Sequence, residues 1–526
     1  MRLLPSRRLL AWDGPLNRAL TLGVAILAGL LLTRLSPFQG VVLVGLLAVL
    51  IGAMVEPFVA LAAALFLGPL KAYLSAEVRQ IPAQIGHVFI ALALGSWLAW
   101  RLSKRDVRLR QSPLILPLLI FLGAVLISLW DATGVVAFGV PELIKWVEIV
   151  LLFVFVSHHL AVEAEGRSGP AGAWRVSRRL RWLVLVVLGV GLFQAGVGIW
   201  QFALRSEGPE HFAILNGDFF RAYGTFEQPN PYAGFLGMTT ALALGVVTNE
   251  MRGRVIKWYA ALSEREDVTR WSTNLSADQT GDIPVYLLAG GASLAMLIAL
   301  GASWSRGAWL GFGAAILVMA VALPRKTGWG VILVALMVVG GLVLYSSGRL
   351  PTSFTARMTS FVQDIRLEDV RGVPINDANY AVIERLAHWQ TALSMFRHNL
   401  WFGIGFGCYE AVYKRFALIN WPIALGHAHN YYLNLVAETG LIGLVTYGLL
   451  WGAIFWRTWR VTRCAHGLTR GIALGLLGAW THISVHHLLD NLYVNNSHLQ
   501  IGVLLGILAF IIQRTSETVR VYDQQA

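Results

Sequence analysis

Long apolar runs, recurring along the chain with short polar joints between them, constrain this sequence more than any other feature. They centre near residues 19–34, 39–54, 56–70, 85–100, 113–130, 142–160, 182–202, 231–248, 284–302, 306–322, 329–346, 431–456, 470–489 and 497–513. A helix needs about 20 mostly apolar residues to cross roughly 30 Å of hydrocarbon, and these runs approach that length. The 526 residues are 56% hydrophobic and only 13% charged, with mean hydropathy +0.61. That leaves too little polar surface to cover a soluble globule of this size. Backbone groups in lipid must be satisfied within the segment, so the runs predict an all-α, polytopic bundle of about 12–14 transmembrane helices.

The formal net charge of +13 does not point to nucleic acid, because it is scattered over short loops rather than gathered in one basic domain. It reads as topology. Basic loops stay on the cytoplasmic side, and from residue 101 onward every second loop is basic. The groups are Arg101, Lys104, Arg105, Arg108 and Arg110; Arg167, Arg175, Arg178, Arg179 and Arg181; Arg252, Arg254 and Lys257; Arg325 and Lys326; then Arg457, Arg460, Arg463 and Arg470. Met1 to Leu10 resembles the basic start of a signal peptide, but no small-residue cleavage site follows, so an uncleaved anchor is expected. Cys408 and Cys464 fall on opposite sides of this topology and form neither a disulfide nor a thiolate metal site.

The alternate loops face outward, and two are long: 203–230 and about 347–430. The expected organisation is N-terminal spans over 1–202, spans with the first outer loop over 203–346, the large outer loop over 347–430, and C-terminal spans over 431–526. Within the large loop Ile383, Leu386, Trp389, Leu393 and Phe396 recur at steps of three and four, the signature of an amphipathic helix packed on the bundle or lying on the membrane. The polar stretch from about 249 to 283 reads as a cytoplasmic loop.

Three patches place unusual polar residues where spans begin at the outer face. Arg221-Ala-Tyr223-Gly224-Thr225-Phe226-Glu-Gln-Pro229-Asn230-Pro231 leads into the eighth span, with Asn230 expected as N-cap and Pro231 at the first helical position. Ser303-Trp-Ser305-Arg306-Gly307-Ala308-Trp309 opens the tenth, and Gly426-His427-Ala-His429-Asn430-Tyr-Tyr opens the twelfth. Helix N-termini carry unpaired N–H groups and partial positive charge, so three at one face, with two arginines, suit an anion such as a lipid diphosphate. Guanidinium matches phosphate oxygens and stays charged, and imidazole titrates near neutrality and can take a proton from a hydroxyl. The competing readings are a headgroup anchor for each arginine and a simple helix cap for the histidine.

The string His427-Ala-His429-Asn430-Tyr-Tyr-Leu-Asn-Leu-Val-Ala-Glu438-Thr-Gly440-Leu-Ile-Gly443 resembles the signature of the O-antigen ligase and polymerase superfamily. So do Ser305-Arg306-Gly307-Ala308-Trp309, and Arg221 with Gly224-Thr225-Phe226 and Pro229-Asn230. The resemblance covers about residues 210–450 well and the first 200 only as hydrophobic architecture. It implies metal-independent, cofactor-free transfer of a glycan from undecaprenyl diphosphate to an acceptor hydroxyl, on lipid A core, another lipid-linked acceptor or a protein. It also implies a bacterial inner membrane, with the site facing the periplasm. Carried over, the catalytic residues are Arg221 and Arg306 on the diphosphate and His429 as base, favoured over His427 because it directly precedes Asn430. His427, Asn430, Lys145, Tyr223 and Asn230 are candidate substrate-binding residues, and no metal ligand set is expected.

Other polar residues occur within spans. Glu142, Lys145 and Glu148 sit at three-residue steps in the sixth, as a structural ion pair or a cavity lining. His482, His486 and Asp490 share a face in the thirteenth at four-residue steps, a spacing better suited to supporting hydrogen bonds than to a metal. There is no Gly-x-x-x-x-Gly-Lys loop, no His-Glu-x-x-His and no Asp-x-Asp pair in an outer loop, which argues against an ATP-driven pump and a metal-dependent transferase. Within the same superfamily, a polysaccharide polymerase and a protein O-oligosaccharyltransferase are alternatives. A flippase of lipid-linked glycans fits less well, because its polar groups belong at mid-membrane depth.

Overall fold

The computed structural model describes residues 22–23, 29, 36–77, 85–105, 111–132, 134–165, 176–205, 207–262, 282–364, 369–376 and 379–523. All but three residues of the first expected span lie outside them, and every later run forms a helix. In chain order these are α1 Pro37–Val55, α2 Phe58–Leu67, the short α3 Lys71–Glu77, α4 Ile85–Ser103, α5 Ile115–Asp131, α6 Val136–Glu165, α7 Arg178–Ala203, α8 Pro229–Leu262, α9 Ile283–Ala302, α10 Arg306–Ala322 and α11 Thr327–Ser346. After the large loop, with its helices α12 Thr352–Asp364, α13 Tyr380–His398 and α14 Tyr409–Val412, come α15 Tyr431–Cys464, α16 Gly467–His486 and α17 Ser497–Asp523. Among the described residues, eight helices are long and apolar enough to cross a membrane, and the protein is an all-α polytopic membrane protein.

Side chains set several starts. The hydroxyls of Ser177 and Ser305 and the amide oxygen of Asn430 accept from the first-turn N–H groups of α7, α10 and α15. Three boundaries differ from expectation. Helix α6 starts at Val136, ahead of the expected 142, and carries Pro141 inside it, where the missing N–H leaves one backbone carbonyl of the preceding turn without its helical donor. Helix α8 runs on to Leu262, so the expected loop from 249 is partly helix, and its residues 263–281 lie outside those described. It also begins at Pro229, so Asn230 is not its N-cap but lies inside the first turn.

Helix α16 sits at the centre, packed against α8, α10 and α15, while α17 lies along α6 and α9 along α7 and α8. At the end of the bundle remote from the long loops, Arg470 is buried rather than facing headgroups. It donates to the carbonyls of Thr462 (2.9 Å), Ala322 (3.1 Å) and Leu323 (2.7 Å) and to Asn249 Oδ1 (2.6 Å), so one guanidinium ties the ends of α10 and α15 to the interior of α8. The expected Glu142–Lys145 ion pair forms, and Lys145 Nζ also donates to the Tyr493 carbonyl at 2.9 Å. Glu148 bridges His87 and His498 at 2.6 and 2.7 Å. These charges are paired within the bundle.

In the large loop, Ile383, Leu386 and Trp389 of α13 pack on Val370, Leu418 and Trp421. Leu393 is exposed, and the α13 face turned toward α15 is completed by Ala392 and Met395 instead. The loop is pinned to α15 where that helix breaks at Gly440 (φ 64°, ψ −163°). Backbone groups freed by the kink are taken up by the passing chain, with Leu441 N donating to the Leu400 carbonyl (2.8 Å) and Gly405 N to that of Glu438 (2.9 Å). A Cβ on Gly440 would lie 2.3 Å from the Trp401 carbonyl, which explains the glycine.

Candidate functional site

At the end of the bundle that carries the long loops, the segment between α7 and α8 forms a small hairpin, with Ala213 paired to Phe220 and Ile214 to Phe219. Arg221 continues its register by donating its N–H to the Phe212 carbonyl at 2.9 Å. The next residues are clamped by two glutamines of α7: Gln201 Oε1 accepts from the N–H groups of Tyr223 (3.1 Å) and Gly224 (2.7 Å), and Gln194 Nε2 donates to Thr225 Oγ1 at 2.8 Å. Ala222 N donates to the Ala302 carbonyl at 2.9 Å. Arg221 is thus carried to the turn between α9 and α10.

That turn gathers cations. Arg221 Nε donates to the Ser303 carbonyl at 2.9 Å and its Nη2 to Asn230 Oδ1 at 3.2 Å, an oxygen that also accepts from Ser305 Oγ at 2.9 Å. Arg357, from α12, donates to the Trp304 carbonyl at 3.4 Å. Carbonyls at the end of α9 hold the guanidiniums, and the N-terminus of α10 adds the positive end of its dipole. The result is a cavity of about 40 Å³, room for a few waters, lined by Arg221, Asn230, Ser305, Arg306, Gly307, Arg357, Arg385, His486 and Leu489. Four arginines reach it, from the segment before α8 and from α10, α12 and α13, and among the described residues no carboxylate lines it. Burial and the charges of Arg357, Arg385 and Arg306 push Arg221 down to about 9. It stays a cation at neutral pH in a site short of negative charge, which is the electrostatic setting an anion fills.

The two histidines of the third patch adjoin this cavity without lining it. His429, in left-handed backbone conformation (φ 51°), precedes Asn430, whose Oδ1 caps α15 by accepting from Tyr432 N (3.0 Å) and Leu433 N (3.1 Å). Asn430 is therefore engaged in the cap. Between the histidines and the cavity stands Asp490, next to Leu489, with Oδ1 at 3.7 Å from His429 Nδ1 and 3.8 Å from His427 Nε2. Burial alone would raise its carboxyl, but the His429 ring, with His427 and Arg385, holds it well below the usual carboxylate range.

One hydrogen bond separates the two rings in kind. His429 N donates to His427 Nδ1 at 3.1 Å, so the lone pair of His427 is occupied and its proton is assigned to Nε2, toward Asp490. Burial, followed by the charge of His429, pushes His427 down to about 4. The ligand atoms of His427, His429 and Asp490 all lie within 4.8 Å of one another, close enough to share a divalent ion. The His427 tautomer works against that, because Nε2 presents a proton rather than a lone pair.

The structure thus brings together Arg221, Arg306 and Asn230 in the cavity, and His427 and His429 beside it. Tyr223 is placed differently: it is buried and accepts from Arg205 at 2.9 Å. Lys145 is paired with Glu142 away from the cavity lining. Arg357 and Arg385 were missed by sequence reasoning. The available signal was their presence, with Arg371 and Arg397, in a loop expected to face outward, since basic residues there gain nothing from topology.

The fold and this cavity define a class: a polytopic membrane protein with an arginine-lined cavity at one end. Residues 291–448 match the family model described as O-Antigen ligase, a stretch that contains Arg306, Arg357, Arg385, His427 and His429, so this part of the chain is similar to the O-antigen ligase superfamily. No curated protein matches the chain.

Proposed function

We propose that this protein transfers a glycan from undecaprenyl diphosphate to an acceptor hydroxyl at the outer face of a bacterial inner membrane, as an O-antigen ligase-like glycosyltransferase. The observation that carries the reading is the four-arginine cavity with the His429–Asp490 pair at its edge. A lipid diphosphate is a long-chain anion, and its charge complements a cavity with guanidiniums and no carboxylate.

In this reading the acceptor oxygen attacks the anomeric carbon while its proton passes to His429 Nε2. The bond from that carbon to the phosphate oxygen breaks, and the electron pair stays on the diphosphate, held by Arg221, Arg306, Arg357 and Arg385. Asp490 is a positioning residue: a carboxylate beside Nδ1 favours the tautomer with the lone pair on Nε2 and stabilises the imidazolium that follows. His427, with its lone pair committed, is not the base. The chain's own residues account for every proton, and no metal enters these steps.

Lipid A core, a growing glycan or a protein are the candidate acceptors, and they share carrier and site. Transport is the reading from another class, and the gathering of polar groups at one end favours transfer over it. The test is transfer of labelled glycan from undecaprenyl diphosphate by purified protein in detergent with EDTA present. Wild type is expected to transfer, and His429→Ala and Arg306→Ala to be inactive though folded. Full activity in either variant refutes the assignment.

A further inference from the structure

Four guanidiniums account for charge in the cavity, but one further side chain lines it without any protein partner. His486, on the last turn of α16, is 1% exposed, and neither ring nitrogen has a hydrogen-bond partner among the described residues. Buried polar atoms are seldom left so. Its neighbours do not supply one: His482, one turn below, meets it ring to ring at 5.5 Å, Asp490 is one turn on, and Arg385 faces it from α13 with donors only.

The ring is seated on Gly307, where a Cβ would stand 2.6 Å from its Cδ2 and 2.9 Å from its Nε2. The glycine beside Arg306 is thus the space His486 occupies, and the arginine motif and the histidine form one construction.

We propose that His486 is a ligand of the departing diphosphate, its imidazole N–H donating to the oxygen of the terminal phosphate that carries the new charge. This rests on the transfer reading above. The donor's diphosphate is a diester with two negative charges. When the carbon–oxygen bond breaks, the electron pair remains on the terminal phosphate, and the diphosphate becomes a monoester with a third. The acceptor's proton is on His429, so the extra charge must be met by hydrogen bonds already in place. A fifth guanidinium would add repulsion before the substrate arrives. A neutral imidazole adds a donor without it, and its bond strengthens as charge develops, so it acts on turnover more than on donor binding.

The probe is farnesyl diphosphate, whose terminal phosphate is unesterified, compared with its terminal methyl ester, binding being measured calorimetrically on the full-length protein in detergent. His486→Phe is expected to weaken farnesyl diphosphate about tenfold or more and the methyl ester less than about threefold, while His486→Gln, which keeps an N–H donor, recovers most of the loss. Gly307→Ala, which displaces the ring without removing it, is expected to give the same selective loss, so the outcome does not hinge on one variant's folding. With a glycan donor, His486→Phe should lower kcat about 10- to 100-fold with little change in KM. Equal binding of farnesyl diphosphate by wild type and both variants overturns the assignment, as does a wild type that binds neither probe. Selective binding in a protein that transfers nothing would refute the transferase reading and leave the His486 site standing.

Discussion

Arg385→Gln should move affinity and stability in opposite directions. Arg385 lines the cavity with Arg221, Arg306 and Arg357, and its charge is among those that depress Arg221. A hydrogen bond to a charged partner contributes about 1.5–3 kcal/mol, and each 1.4 kcal/mol is tenfold in affinity. Its loss should therefore weaken farnesyl diphosphate binding by roughly 10- to 150-fold, as measured by titration calorimetry. Without ligand the sign reverses. At an effective dielectric near 20, two unit charges roughly 10 Å apart repel by about 1.7 kcal/mol, so relief of one such repulsion should stabilise the empty protein by about 1 kcal/mol. For a chain of this length that is a rise in Tm on the order of 1–2 °C. Arg357→Gln should behave alike, and both effects should shrink at high salt. Unchanged affinity with a lowered Tm would mean that Arg385 is a structural residue, and the electrostatic account of the cavity would be wrong.

Other expectations follow from the same geometry. Asp490→Asn should leave the protein folded and lower transfer about 100-fold through the His429 tautomer, so a variant within threefold of wild type removes Asp490 from the mechanism. His427→Ala should retain measurable transfer where His429→Ala has none, and the reverse order in a transfer assay would exchange the two roles. Burial, followed by the charge of His429, pushes His388 down to about 4, and His427 is likewise near 4, against 6.5 when unfolded. The unfolded state then binds more protons between those values, so stability falls as pH drops from about 6.5 to 4. A thermal-shift series should show that slope, and His388→Phe should flatten it. Gly440→Ala meets both a glycine-only backbone conformation and the Trp401 carbonyl at 2.3 Å. A loss on the order of 3 kcal/mol in stability is expected, checked by thermal unfolding and by the yield of folded protein.

The sequence by itself determined the bundle and the end at which the candidate site residues gather. Apolar runs of spanning length have only a helix available in lipid, and thirteen of the expected runs form helices, eight of the described helices being long and apolar enough to cross a membrane. Arg221, Arg306 and His429 each stand just before or at the start of a helix, and local sequence therefore assigned them to one face. What remained depended on residues distant in the chain. Arg357 and Arg385 reach the cavity because α13 packs on α15 and the loop is stitched to the Gly440 kink. Asp490 meets His429 across some sixty residues of sequence, and His486 meets Gly307 across nearly three times that distance. Conversely, Lys145 and Tyr223 had the composition of site residues but found partners in Glu142 and Arg205. Periodicity reports which face of a helix is apolar, whereas which polar groups share a cavity is decided by how the helices pack.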